Sequence, residues 1–299
     1  MGLLDLFKEL FGGGINGPGQ SMPGRLDLNE LARRLDKPIE DLQSFKPGYQ
    51  SFRISKRAGG TREILAPNPE TRDLQRRILR RLLGRLKSHP AAMGFERRRS
   101  IVDNARPHVG KAVVLRMDLK NFFPATDAKR VLKYFRQIGW DKKAAKLLIG
   151  LCAHKGGLAI GAPTSPKLSN VVNYGMDVRL AALATKHRAA YTRYADDMTF
   201  SFATDDREAI RMTIRLTKEI VRQLGYTLHQ DRKLQIKRRH ERQLVTGIVV
   251  NERLALPRET RRWLRAVEHA AANGRPTTLS PEQLAGWQSL RDMVSRDGE

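Results

Sequence analysis

The sequence predicts an α+β fold, with helices packed around a mostly antiparallel sheet. Three observations predict it. QSFRISKRAGGTREILA (50–66) and YTRYADDMTFS (191–201) alternate apolar and polar residues on either side of a turn, the pattern of β-hairpins. KAVVLRMDL (111–119) is a short apolar run ending in a carboxylate, which reads as a strand. Between these lie longer stretches whose apolar residues recur at helical spacing.

Taken in order, MGLLDLFKELFGGG opens the chain with Leu3, Leu4, Leu6, Phe7, Leu10 and Phe11 in an amphipathic pattern. It lacks the cationic start and cleavage site of a signal peptide, so it reads as a docking helix, a lipid-interface helix being the other reading. GGGINGPGQSMPG (12–24) reads as a flexible linker, and 26–45 as two short helices broken near Lys37-Pro38. In the first hairpin Phe52 and Ile54 alternate with polar residues, Ala58-Gly59-Gly60 turns the chain and Ile64 lies on the return. From Thr71 a helix carries Leu74, Ile78, Leu82, Leu83 and Leu86 on one stripe and six arginines on its other faces. Across 72–99 ten basic residues meet only Asp73 and Glu96. A solvated face accounts for such arginines, but a phosphate backbone accounts better for the surplus. After the 111–119 strand come a helix over 127–153, a turn GGLAIGAPTSP (156–166) and a helix over 167–186. Beyond the second hairpin a helix over 206–224 is expected, then strands near 226–236 and 244–250, then helices over 257–271 and 281–295.

A net charge of +25 and a pI of about 10.8 oppose folding by self-repulsion and signal a polyanionic partner. Nucleic acid is the leading class, ahead of an anionic membrane surface, although charge alone does not separate an enzyme from a packaging protein. Cys152 is the one cysteine, which excludes an internal disulfide and cysteine-based zinc sites and fits a reducing cytoplasm. No apolar run reaches the ~18 residues of a membrane span.

Asp118 ends the 111–119 strand, and Asp196 and Asp197 lie in the second hairpin. If the hairpin pairs beside that strand, three carboxylates converge and raise one another's pKa values unless a cation intervenes. Hard oxygen ligands suit Mg²⁺, which completes its shell with water and substrate phosphates. Two such ions ~3.5–4 Å apart suit displacement at phosphorus. By spacing alone the bland alternatives stay open: a strand-end Asp that caps, and an Asp-Asp pair that turns the chain.

YTRYADDMTFS resembles the catalytic hairpin of reverse transcriptases, and further matches follow in order along the chain. MDLKNFFPAT (117–126) resembles the motif carrying the first catalytic aspartate, here Asp118, with Phe123 at the place of a steric gate against a ribose 2′-OH. GAPTSPKLSN (161–170), with Gly161 and Pro163, resembles the motif under the incoming nucleotide and template. FRISKRAGGTREILAP (52–67) resembles the fingers hairpin, in which Lys56 and Arg62 would grip the triphosphate. LGYTLHQDRK (224–233) resembles the motif supplying a lysine near the leaving group, here Lys233, with Arg232 as its rival. The resemblance implies a right-hand polymerase: an N-terminal helix and linker (1–24), an N-terminal region and fingers (25–110), a palm with some fingers elements (111–240), and a palm end with a helical, RNA-binding thumb (241–299). It implies two Mg²⁺ ions held by Asp118 and Asp196, with Asp197 as a weaker ligand or electrostatic support. Ile160 departs from the family's usual glutamine, which puts template contacts in question.

Asn104-Ala105-Arg106-Pro107-His108 matches the N-A-x-x-H signature of retron reverse transcriptases, and Val245-Thr246-Gly247 their V-T-G signature. By bare chemistry the same residues serve as caps, core or a strand end. PRETRRWLRAVEHA (257–270) places Arg258, Arg261, Arg262 and Arg265 around Trp263, a pattern suited to an RNA stem or a stacked base, while Trp263 equally suits a core anchor. The retron resemblance implies a cognate structured non-coding RNA recognised by these residues, and DNA synthesis from dNTPs primed at a guanosine 2′-OH. It also implies a branched RNA–DNA product, an effector protein and a role in phage defence in the bacterial cytoplasm. The length leaves no room for an RNase H domain or a maturase region, so a host RNase H is expected to remove the template.

Overall fold

In the computed structural model, which describes residues 26–55, 60–229 and 234–296, the first described helices are α1 (Leu28–Leu35) and α2 (Ile39–Ser44). Asp27 caps α1 by accepting from Glu30 N, and Asp36 ends it with a left-handed φ of 52°. β1 (Tyr49–Ser55) and β2 (Thr61–Pro67) pair antiparallel with Phe52 opposite Ile64 and Ile54 opposite Arg62. The hairpin forms, but its alternation does not mark a buried face: Phe52 and Ile54 are 47% and 44% exposed. α3 (Pro69–Ile78) starts from an Asn68 cap with proline in its first turn, then widens into a π-helical turn at Leu79–Leu83. Ser100 and Asp103 form a capping box on α4 (Ile101–Ala105), which runs into a 3₁₀ turn at Arg106–His108.

β3 (Val113–Asp118) leads through α5 (Phe122–Ala125) into α6 (Ala128–Gln137) and α7 (Lys142–Cys152). The single helix expected over 127–153 is therefore two. Gly139 takes a φ of 103°, Trp140 turns into the core and Asp141 caps the restart. Burial pushes the Cys152 thiol up to about 12, so it packs as an inert apolar group. A short pair, β4 (Ala153–His154) and β5 (Gly157–Leu158), precedes α8 (Ser165–Val172) and α9 (Tyr174–Lys186). These two replace the expected helix over 167–186. They part at Asn173, whose buried amide donates to Ser169 O and Tyr226 Oη. The second hairpin is β6 (Ala189–Tyr194) and β7 (Asp197–Phe202), followed by α10 (Arg207–Gln223) under an Asp206 cap. Of the strand expected over 226–236, the structure forms a bridge from Leu228 to Leu119 and then β8 (Gln235–Arg238). β9 (Leu244–Val245) and β10 (Ile248–Val249) make a tight hairpin before α11 (Arg258–Ala272) and α12 (Pro281–Arg296).

The central sheet has the order β6-β7-β3-β8, antiparallel throughout. Alternation along β3 sorts its side chains onto two faces. Val113, Leu115 and Met117 join Met198 and Phe200 in a core covered by Leu180 and Leu183 of α9 and Leu216 and Ile220 of α10. Val114, on the other face, packs with Val102 and Ala105 of α4, Val245, Ile248 and Val294. A third cluster joins α1, α2, α3, α6, α7 and α8 through residues such as Leu31, Ile78, Phe135 and Leu148. No helix among the described residues is long and apolar enough to cross a membrane.

Candidate active site

β3 and β7 pair in the register Asp118 opposite Asp197, so the end of one strand meets the start of the other. Asp196 lies in the two-residue turn between β6 and β7, after Ala195 with its left-handed φ of 58°. Backbone bonds tie this corner together: Leu119 N donates to Asp196 O at 2.9 Å, and His229 N to Asp118 O at 2.9 Å. The Asp118 and Asp197 side chains are 18% and 20% exposed, and like charges directly opposite on a sheet repel. Arg116, two residues back along β3, relieves this by ion-pairing with Asp197, and His229 Nε2 stands 3.6 Å from Asp118 Oδ1. Among the described residues no three carboxylate, histidine or cysteine side chains are yet gathered as a metal cluster. The donor set itself fits a hard cation, since the register brings two carboxylate residues to one sheet end with a third in the adjoining turn.

The other expected contacts surround this corner unevenly. Phe123, in α5, is half-buried, its ring 5.4 Å from Phe122 and 5.8 Å from the exposed Phe95. Arg62 is exposed on β2. Lys56, Lys233 and Arg232 lie outside the described residues, as do the N-terminal helix and linker. Gly161, with a φ of 119°, sits so close to β2 that a Cβ would lie 2.7 Å from Leu65 O. Leu65 N donates to Ile160 O at 2.8 Å, so the GAPTSP turn anchors the Arg62 strand beside half-buried Pro163.

The two signature motifs require a correction. Asn104, His108 and Val245, expected as RNA contacts, are 1%, 0% and 0% exposed and belong to the interior. The motifs meet each other on the Val114 face of the sheet, the face that carries Asp118 at its end. Thr246 and Gly247 form the two-residue turn of β9–β10 with φ of 47° and 84°, the left-handed pair such a hairpin needs. Thr246 Oγ1 donates to Ile101 O at 2.9 Å, and Asn104 Nδ2 reaches Thr246 Oγ1 at 3.4 Å. His108 bridges the β6–β7 hairpin on the sheet face that also carries Asp118 and Asp197, Nδ1 to Ser201 Oγ at 2.7 Å and Nε2 to Thr192 Oγ1 at 2.8 Å. Burial, helped by the Lys111 charge, holds its pKa down to about 3, so the ring is neutral. At the turn itself Thr246 is half-buried and Gly247 exposed.

The basic surfaces divide as well. Arg77 Nη1 donates to Leu35 O and Asp36 O, and Arg81 Nη1 to Arg34 O, so these two close the end of α1 rather than wait for phosphate. Arg72, Arg76, Arg80 and Arg85 are exposed. On α11, Arg258, Arg261, Arg262 and Arg265 are all exposed. The Trp263 ring is edge-on to Trp287 of α12 at 5.2 Å and remains 37% exposed, so it is not a buried core anchor. Sequence reasoning assigns nothing to Arg193, yet it lies fully buried under the Ala195–Asp196 turn. A lone arginine at an inward strand position, with Asp177 in the apolar run MDVRLAALA, is the signal that finds it.

Residues 54–250 match the family described as reverse transcriptase (RNA-dependent DNA polymerase). The chain is 37% identical over 265 residues to the Retron Mx65 reverse transcriptase of Myxococcus xanthus, a match covering 83% of this chain and 61% of that protein. It is 37% identical over 280 residues to the Retron Mx162 reverse transcriptase of the same organism, covering 82% and 58%. With the Retron Ec86 reverse transcriptase of Escherichia coli it shares 32% identity over 245 residues, covering 81% and 75%. The chain thus belongs to the reverse transcriptase family, among its retron-type bacterial members. It spans about three-fifths of the length of the two Myxococcus relatives.

Proposed function

We propose that this chain is a Mg²⁺-dependent RNA-directed DNA polymerase of retron type. The observation that carries the reading is the register that sets Asp118 against Asp197, with Asp196 in the adjoining turn. Asp118 and Asp196 would hold two Mg²⁺ ions, with Asp197, already engaged by Arg116, as a weaker ligand or electrostatic support. Such ions, when bound, activate an attacking 3′-hydroxyl and stabilise a leaving pyrophosphate. The chain's own residues do the rest. Arg62 and Lys56 neutralise the β- and γ-phosphates, as cations do on transferring phosphoryl oxygens. Phe123 closes the space a ribose 2′-OH would need. Lys233 delivers a proton to the leaving group. Residues 25–110 act as the N-terminal region and fingers, 111–240 as palm and 241–299 as palm end and thumb.

The exposed arginines of α11 and the open face of Trp263 support recognition of a structured non-coding RNA. Synthesis from dNTPs would begin at a guanosine 2′-OH of that RNA and leave a branched RNA–DNA product in the bacterial cytoplasm. An effector protein and host RNase H would complete a phage-defence system. Primer extension on an RNA template tests the chemistry. Wild type extends the primer only with Mg²⁺, and Asp196→Ala falls at least about a hundredfold, as expected when a transition-state charge loses its support. Extension that survives in Asp196→Ala refutes the assignment, and an inactive wild type makes the protein an RNA-binding scaffold. Nucleic acid copurifying from the native locus tests the branch: a linear RNA without attached DNA argues against it.

A further inference from the structure

Arg193, at the third buried position of β6, has a side chain that is 0% exposed. A guanidinium does not shed its proton in a protein, so its burial requires complete pairing. Nε donates to Asp177 Oδ1 at 2.8 Å and Nη2 to Asp177 Oδ2 at 2.6 Å, a two-pronged pair with an equally buried carboxylate of α9. Nη1 donates to Ala195 O at 3.0 Å and Asn170 Oδ1 at 3.2 Å, and the Phe122 ring lies 5.5 Å from the guanidinium carbon. Tyr191 Oη donates to the same Asp177 Oδ1 at 2.9 Å.

The backbone around this group is equally constrained. Arg193 N donates to Ala91 O at 2.7 Å and Met93 N to Arg193 O at 2.8 Å, which lays residues 91–93 along the free edge of β6. Asn170 Nδ2 donates to Gly94 O at 2.7 Å, and a Cβ on Gly94 would lie 2.8 Å from Ala195 N. Four separate segments therefore converge beneath the turn that carries Asp196.

A buried ion pair is weak evidence of stabilisation, because apolar residues of the same volume commonly match or better it. What the pair holds is the carbonyl of Ala195, a residue with a side chain in the left-handed region, one peptide before Asp196. We propose that Arg193, oriented by Asp177, is a positioning residue: it pins the Ala195 carbonyl and thereby sets where the Asp196 carboxylate stands relative to Asp118. This rests on the reading of Asp118 and Asp196 as the metal-holding pair.

The test uses the full chain and two variants. Asp177→Leu/Arg193→Met removes the pair without leaving a buried charge, and Arg193→Lys keeps the charge but loses the forked reach. Three quantities are measured: the thermal midpoint, Mn²⁺ affinity by electron paramagnetic resonance without nucleic acid, and single-nucleotide incorporation on a primed RNA template. Both variants are expected to stay folded and to bind Mn²⁺ about tenfold or more weakly, the usual effect of losing a partner behind a ligand. Incorporation at saturating dNTP falls about tenfold to a hundredfold, the scale of an ångström's misplacement, while KM for dNTP changes less. Wild-type Mn²⁺ affinity and rate in a folded variant overturn the proposal, as does a rate loss that only follows loss of folded protein. Should the double variant not fold, Arg193→Lys decides by the same criteria. A wild type that binds Mn²⁺ through Asp196 but extends no primer overturns the polymerase reading, while the Mn²⁺ comparison still judges Arg193. A wild type without a Mn²⁺ site overturns both.

Discussion

His108 shows how one residue converts sequence into a pH response. Its ring, wedged between Thr192 of β6 and Ser201 of β7, is neutral because burial holds the pKa at about 3, against 6.5 when exposed. The folded value lies below the unfolded one, so the stabilisation is fully present above about pH 6.5 and is lost as the pH falls toward 3. Between pH 7.5 and 5 the loss is about 2 kcal/mol, from 1.36 kcal/mol per unit. Urea unfolding at the two pH values should show that drop in wild type. His108→Gln, which keeps a hydrogen-bonding side chain and does not titrate there, should lose most of the pH slope. Equal slopes would mean that His108 is solvated rather than sealed. Gly94 makes the complementary point, since the space it leaves is occupied by the Ala195 backbone.

At the scale of elements, the β9–β10 turn and α4 form one unit although more than a hundred residues separate them. Thr246 is β-branched and left-handed, a costly combination, and its hydroxyl bonds to Ile101 O and Asn104 offset part of that cost. Thr246→Val keeps shape and strain but removes those bonds. It should lower unfolding free energy by about 1–3 kcal/mol, the range for leaving polar groups unpaired. A change below about 0.5 kcal/mol in a denaturant titration would show that water replaces the hydroxyl. The same logic explains why Arg77 and Arg81 turn to the end of α1: carbonyls there have no helical partner, and the arginines supply one. Helices near 27, 71 and 206 were legible from periodicity, with Asp27, Asn68 and Asp206 found to cap them, whereas α4 behind its Ser100 cap was not expected. The breaks at Gly139 and Asn173 were not, because apolar periodicity continues across both.

For the whole molecule the +25 charge favours encounter with a polyanion, here the proposed RNA. Replacing the exposed Arg258, Arg261, Arg262 and Arg265 with glutamine should weaken RNA binding and reduce the slope of log K against log salt by about three. Filter binding across a salt series reads this directly. An unchanged slope would move the RNA to another basic face, such as that of Arg72, Arg76 and Arg80.

Local chemistry, carried by neighbouring residues, determined a good deal by itself. The hairpins, the apolar strand ending in Asp118 and most helices follow from periodicity and turn residues within short windows, and the ordered motifs from their resemblance to those of reverse transcriptases. Tertiary structure alone decided what depends on residues far apart in the chain. It set Asp118 opposite Asp197, because a register slip of one residue would turn every side chain of a strand buried on both faces to the wrong side. It buried Asn104, His108 and Val245 rather than offering them to RNA, because Val245 packs with Ala105, Asn104 reaches Thr246, and His108 bonds to Ser201 and Thr192. It also gave Arg193 a task, since a buried charge acquires meaning only from the partners that the fold brings to it.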